Sequence, residues 1–237
     1  MSGDRAESRR LGDPFGTVDF PDEWQAVIEQ TRPYTLCSDE RMGGLIAGVE
    51  HVVKNAIPGA FVECGVWRGG SSMAAALTFQ RLGEIRDLYL FDTFEGMPPA
   101  GEQDVDFRGE PVGDRFADTQ ATKEHAARAG ATLADVREAM ASTGYPGDRT
   151  HLVQGMVEDT IPGSAPGEIA VLRLDTDWYE STRHELEHLY PHVAAGGVLI
   201  VDDYGHFAGA RKATDEYLGE KVFLHRLDYT GRLVIKS

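Results

Sequence analysis

The chain has almost no cysteine: Cys37 and Cys64 are the only two in 237 residues. Their spacing fits no zinc or disulfide framework, so both read as small buried residues in a reducing compartment. Long apolar runs are missing too. Nothing approaches the roughly 20 residues of a membrane span, and the polar first ten residues are not followed by the apolar segment of a secretory signal. A cytoplasmic location is the expectation. Basic residues are scarce, with 23 Lys and Arg against 39 Asp and Glu and a formal net charge of −16. Such a surface repels phosphate backbones and anionic membranes, which argues against nucleic acid or membrane as partner. The dinucleotide fingerprint G-x-G-x-x-G is absent as well.

What is present fits one large α/β domain, with hydrophobic residues at 41% and charged ones at 26%. The first 13 residues read as a tail. Two amphipathic helices, over 21–31 and from 39 to a stop near Pro58, form a helical cap spanning 14–58. From 59 onward strands and helices alternate. Strands are expected at 59–66, 87–92, 148–154, 168–175 and 197–202, with a closing pair at 221–228 and 231–236. Helices are expected at 71–80, 132–142, 179–190 and 208–219. This alternation predicts a doubly wound, mainly parallel sheet. The Gly-, Pro- and charge-rich stretch over 93–130 is too long for idle linker and reads as a lid, with a helix expected over 114–128.

Two strand ends carry the chemistry. The run VLRLDTDWYEST over 171–182 leads a buried strand into Asp175 and Asp177 and then into a helix. The run GVLIV over 197–201 delivers Asp202 and Asp203 in the same way. Four carboxylates at the ends of two core strands repel one another and are costly to desolvate. A hard divalent cation with oxygen ligands, Mg²⁺ rather than zinc, relieves that cost most simply. Plainer readings compete: Asp175 or Asp177 as a helix cap, Asp202 and Asp203 as a turn, or ion pairs to Arg173 or Arg211. His206 reads as a pocket-lining or solvated histidine rather than a ligand.

The first strand ends in ECGVWRGGS over 63–71, where Gly65 and Gly69 let backbone approach a ligand closely. Asp92 closes the next strand and could accept hydrogen bonds from ribose hydroxyls. An acidic residue, Glu63, stands where a pyrophosphate site would want none. The pattern suits S-adenosylmethionine, which has no phosphates, a cationic sulfonium and a ribose diol. The alternative is a plain strand-to-helix turn with Asp92 as a cap.

Taken together, DTDWYEST over 175–182, VDDYG over 201–205, FVECGVWRGGS over 61–71 and FDTFEGMP over 91–98 resemble the macrocin O-methyltransferase (TylF-like) family. The likeness covers about residues 34–217. It implies a Rossmann-like class I methyltransferase fold, S-adenosylmethionine and Mg²⁺ as cofactors, and a deoxysugar hydroxyl of a glycosylated natural product as acceptor. By matching motif, Asp175, Asp202 and Asp203 would ligate the metal and Asp177 would be the general base. Glu63, Gly65, Val66, Trp67, Ser71, Asp92, Thr93, Phe94 and Asp175 would hold the methyl donor, with Gly155 and Met156 beside its adenine. Thr35 and Leu36 would close over it. The resemblance also implies a homodimer or higher homo-oligomer. Many relatives have Gly where this chain has Thr176, and a smaller or aliphatic residue in place of Trp178. Outside this family, the D-x-D pattern also fits a haloacid-dehalogenase-like phosphatase or a metal-dependent glycosyltransferase, and a noncatalytic sugar- or nucleotide-binding module is the third alternative.

Overall fold

A computed structural model describes residues 19–112 and 130–237. The tail over 1–13 and the helix expected over 114–128 lie outside the described residues. Seven strands form one sheet: β1 Ala60–Cys64, β2 Leu88–Asp92, β3 Thr150–Gln154, β4 Ile169–Leu174, β5 Val193–Val201, β6 His225–Arg226 and β7 Arg232–Ile235, in the order β3-β2-β1-β4-β5-β7-β6. Strands β1 to β5 pair parallel, and β7 runs antiparallel to β5 and β6. The mainly parallel α/β architecture read from the sequence is therefore the one observed.

The period-two alternation of the strands builds two separate cores. One face presents Phe61, Leu88, Leu90, Val171, Val198 and Ile200. Helices α1 Asp22–Thr31, α2 Asp39–Lys54, α3 Gly70–Arg81 and α4 Leu133–Ser142 cover it. The other face presents Val62, Cys64, Phe91, Leu172, Leu174, Leu199 and Val201, packed on α5 Val157–Thr160 and α6 Tyr179–Leu189. Helix α7 Ala208–Leu218 packs alongside α6. The two N-terminal helices are thus a true layer of the core. Ser38 starts α2 by accepting the Arg41 amide, and Thr132 with Asp135 forms a capping box on α4.

Boundaries differ from expectation where side chains are uninformative. Strand β5 begins at Val193 instead of 197, because Ala194, Ala195 and Gly196 carry too little side chain to display an alternation. The turn Gly147–Arg149 takes the start of the expected third strand, and the closing pair is shorter than its apolar pattern. Helix α5, a single turn, has no sequence period at all.

Strand β1 is flanked by β2 on one side and β4 on the other, so the winding reverses there. Ligand crevices open beyond the carboxyl ends of the strands at such a point. Here Gly65 is pressed against the neighbouring strand end: at φ +81° a Cβ would sit 2.0 Å from the Asp175 carbonyl oxygen. The close approach brings the glycine-rich turn and the acidic loop into one wall. Gly65→Ala should therefore cost about 2 kcal/mol or more of stability, several degrees in a melting scan. Gly83→Ala, at φ +73° with open space around it, should cost only about 1 kcal/mol. Equal melting temperatures for the two variants would show that the contact at Gly65 is not tight.

Candidate active site

A cavity of about 880 Å³ opens at the switch point. Its walls include Thr35, Leu36, Gly65, Val66, Trp67, Ser71, Asp92, Thr93, Gly155 and Met156 on one side, and Asp175, Asp177, Asp202 and Asp203 on the other. Residues drawn from six separate stretches of chain are brought together here. Two of the expected donor residues do not reach the wall. Glu63 is 1% exposed, and Phe94 is packed into the core. Phe94 contributes instead through its backbone, whose N–H donates to Asp92 Oδ1 at 2.7 Å.

Asp92 organises the glycine-rich turn. Its Oδ2 accepts the amides of Val66 at 2.6 Å and Trp67 at 3.0 Å. The backbone of Trp67 and Phe94 is held at φ +47° and +53°, conformations that non-glycine residues adopt only when their surroundings over-determine them. The carboxylate read as a ribose acceptor thus already serves the protein backbone.

Arg173, 3% exposed, is the hub behind the acidic wall. Its Nη1 donates to Glu63 Oε1 at 2.6 Å and Asp175 Oδ2 at 2.7 Å. Its Nη2 donates to Asp202 Oδ1 at 2.5 Å and meets Cys37 Sγ at 3.0 Å. Glu63 and Arg173 are register partners on β1 and β4, so their side chains share one sheet face. Asp202 continues the phase of Val198 and Ile200 and lands on that same face. There it also meets Arg41 of α2, whose Nε donates to Asp228 Oδ2 at 3.0 Å. Burial would raise the Asp202 pKa, but Arg173 and Arg41 outweigh it and hold the carboxyl below the usual range.

Asp203 falls in the opposite phase and escapes the arginines. It stands between Asp175 and Asp177, and the three carboxylates offer oxygens within 4.8 Å of one another. Asp203 Oδ2 is buried and meets no hydrogen-bond donor among the described residues. Burial, then the Asp175 charge, pushes Asp177 up to about 8. Burial and neighbouring carboxylates also push Asp175 and Asp203 well above the ordinary value. An oxygen-only donor set with excess negative charge and an orphaned buried oxygen fits a hard divalent cation. Asp175 belongs also to a second such group with Cys37 and Asp202, so it links the two. His206 lines the cavity, bonded to the Tyr229 hydroxyl at 3.1 Å, and joins neither group.

Residues 22–231 match the macrocin O-methyltransferase (TylF) family. The chain belongs to that family. It is 35% identical over 204 residues to a tetracenomycin-type rhamnosyl 4'-O-methyltransferase of Streptomyces olivaceus, covering 83% of this chain and 70% of that protein. It is 30% identical over 213 residues to mycinamicin III 3''-O-methyltransferase of Micromonospora griseorubida, covering 89% and 75%. The solved O-methyltransferase NovP superposes with a TM-score of 0.73 at 30% identity, covering 86% of this chain and 82% of that one. Membership makes the chain an O-methyltransferase and removes the phosphatase, glycosyltransferase and noncatalytic readings of its D-x-D run.

Sequence reasoning treated Arg173 only as a competing ion pair and did not find Arg41, Asp228 or Glu185. Glu185 is fully buried on α6; its Oε1 accepts the Thr176 hydroxyl at 2.9 Å, and its Oε2 has no hydrogen-bond partner among the described residues. It therefore braces Thr176, between Asp175 and Asp177. Burial raises the Glu185 pKa well above 4.5. The folded state then keeps this proton to a higher pH than the unfolded chain, so stability falls as pH rises above about 4.5. Glu185→Gln should raise the melting temperature at pH 8, by about 2–4 °C for each kcal/mol of relieved burial, and the gain should shrink toward pH 5. Scanning fluorimetry between pH 5 and 8.5 checks this; a gain that does not vary with pH would mean Glu185 is not buried as an acid.

Proposed function

We propose that this O-methyltransferase transfers a methyl group from S-adenosylmethionine to a sugar hydroxyl of a glycosylated natural product, in antibiotic tailoring. Mg²⁺ at Asp175, Asp202 and Asp203 would assist, and Asp177 would be the base. The single observation that carries the reading is the convergence of Asp175, Asp177 and Asp203 on the cavity wall facing the Gly65–Ser71 turn. The relatives from Streptomyces olivaceus and Micromonospora griseorubida, both named for methylation of sugar positions, support the acceptor class. No helix among the described residues is long and apolar enough to cross a membrane, and a cytoplasmic homo-oligomer is the proposed setting.

When bound, S-adenosylmethionine would supply the electrophilic methyl group and the cation would lower the pKa of a hydroxyl, otherwise a very weak acid. The rest falls to the chain. The turn held by Asp92 shapes the donor wall, with Gly155 and Met156 lining its far side. Thr35 and Leu36 close the wall from the segment before α2. Arg173 holds Asp175 and Asp202 in fixed positions so that neither drifts when its neighbours change charge. Asp177, raised in basicity by burial and by Asp175, takes the proton as the acceptor oxygen gains the methyl.

Asp177→Asn should cut turnover by about 10²- to 10⁴-fold while S-adenosylhomocysteine binds as tightly as before by calorimetry. Turnover within a few-fold of the wild type would remove Asp177 from the reaction. Mg²⁺ should raise the melting temperature of the wild type, EDTA should reverse the shift, and Asp203→Asn should abolish it. Activity that persists through exhaustive chelation would exclude the cation from the mechanism.

A further inference from the structure

Helix α6 begins at Tyr179, immediately after the acidic loop, and it cannot cap itself. Its N-cap residue is Trp178, which supplies no side-chain cap. A carboxylate in or beside that loop would ordinarily take the duty, since Asp is a favoured capping residue. Had Asp177 done so, its oxygens would be spent on backbone amides.

The structure places a different carboxylate there. Asp104, 75 residues away in the strap over 97–112, accepts the Tyr179 amide on Oδ1 at 2.8 Å. Its Oδ2 accepts the Gly101 amide at 2.7 Å. The side chain is buried, at 3% exposure. It enters through a gap that only glycine leaves open: a Cβ on Gly209 of α7 would lie 2.0 Å from Asp104 Oδ1 and 3.0 Å from the Tyr179 nitrogen. The strap is fastened around this point on both sides. Trp178 Nε1 donates to the Pro98 carbonyl at 2.9 Å, the Ala208 amide donates to the Val105 carbonyl at 2.9 Å, and Asp106 bridges to Phe207. Val112, Trp178, Phe207 and Ala210 form a small core of their own beneath it.

We infer that Asp104 is a positioning residue for the reaction: it caps α6 in trans and so releases Asp177 to face the cavity. A negative charge at a helix amino end is favoured by the amide dipoles, and here it is delivered by the strap that forms the cavity's flank. Strap seating and base placement are one event. Asp177 sits two residues before the capped amide at φ +68°; without the trans cap its carboxylate is the nearest replacement. The inference rests on the reading of Asp177 as the base, and it assigns Asp104 no contact with the reacting atoms.

The test compares Asp104→Ala and Asp104→Asn with the wild type. Asn keeps one oxygen that can accept the Tyr179 amide while giving up the acceptor for the Gly101 amide, so it should restore the helix cap that Ala loses. Hydrogen exchange should show the amides of the first turn of α6 and of the strap deprotected together in Asp104→Ala, and those of the first turn of α6 protected again in Asp104→Asn. S-adenosylhomocysteine affinity should stay within about twofold in both. Turnover should fall roughly 10- to 100-fold in Asp104→Ala, the cost of a misplaced group, with kcat changing more than KM, and recover in Asp104→Asn. Unchanged protection and kcat in Asp104→Ala would overturn the inference. So would a loss of S-adenosylhomocysteine affinity well beyond twofold in Asp104→Asn. A wild type that fails to bind S-adenosylhomocysteine would instead sink the proposed function and leave the exchange result to decide the cap by itself.

Discussion

One buried guanidinium holds this site together. Arg173 reaches carboxylates from β1, from the loop after β4 and from the end of β5, so three adjacent strand ends share a single cation. Removing one partner from a buried charge network costs about 3–5 kcal/mol, because the remaining charges are left uncompensated. The arrangement is thus self-enforcing: Glu63 is fixed by Arg173 and Ser72, Arg173 by Glu63, and Asp175 and Asp202 by Arg173. Arg41 extends the network to α2 and, through Asp228, to the turn before β7. The N-terminal layer is therefore tied electrostatically to the acidic wall as well as packed beside it.

Strand alternation then divides the labour among residues of identical chemistry. Asp202 and Asp203 are neighbours in sequence but fall on opposite phases of β5. The first is neutralised by two arginines, and the second is left among carboxylates. A shift of one residue in the β5 register would exchange them. It would also turn Leu199 and Val201 out of their core, so the hydrophobic faces defend the placement of the charges. In this way the packing of apolar side chains decides which carboxylate the two arginines hold.

The parts legible in the sequence are those whose partners are local or periodic. The two-faced strands, the amphipathic α2 and the acidic strand ends all declare themselves within a dozen residues. The pairing of Arg41 with Asp202 joins positions 161 apart, and nothing around Arg41 marks it as different from other surface arginines. Glu63 was legible as an unusual acid but not as a buried one, because its partner stands across the sheet in another strand. The start of strand β5 is illegible for a similar reason: it is held by pairing to Ile169, not by any pattern of its own.

Thr176 and Trp178 lie on either side of Asp177 and are each held by residues far away in the chain. Thr176 is anchored downward by Glu185, and Trp178 outward by the Pro98 carbonyl. Asp177 between them keeps a left-handed backbone that costs a non-glycine residue about 1–2 kcal/mol. A glycine at 176 would leave one flank of that loop free to relax the strain by turning the carboxylate aside. With both flanks bonded, relaxation would break a buried hydrogen bond, at a cost of about 1–3 kcal/mol, comparable to the strain itself or larger. The loop therefore holds its conformation because its neighbours are more expensive to disturb than Asp177 is to constrain.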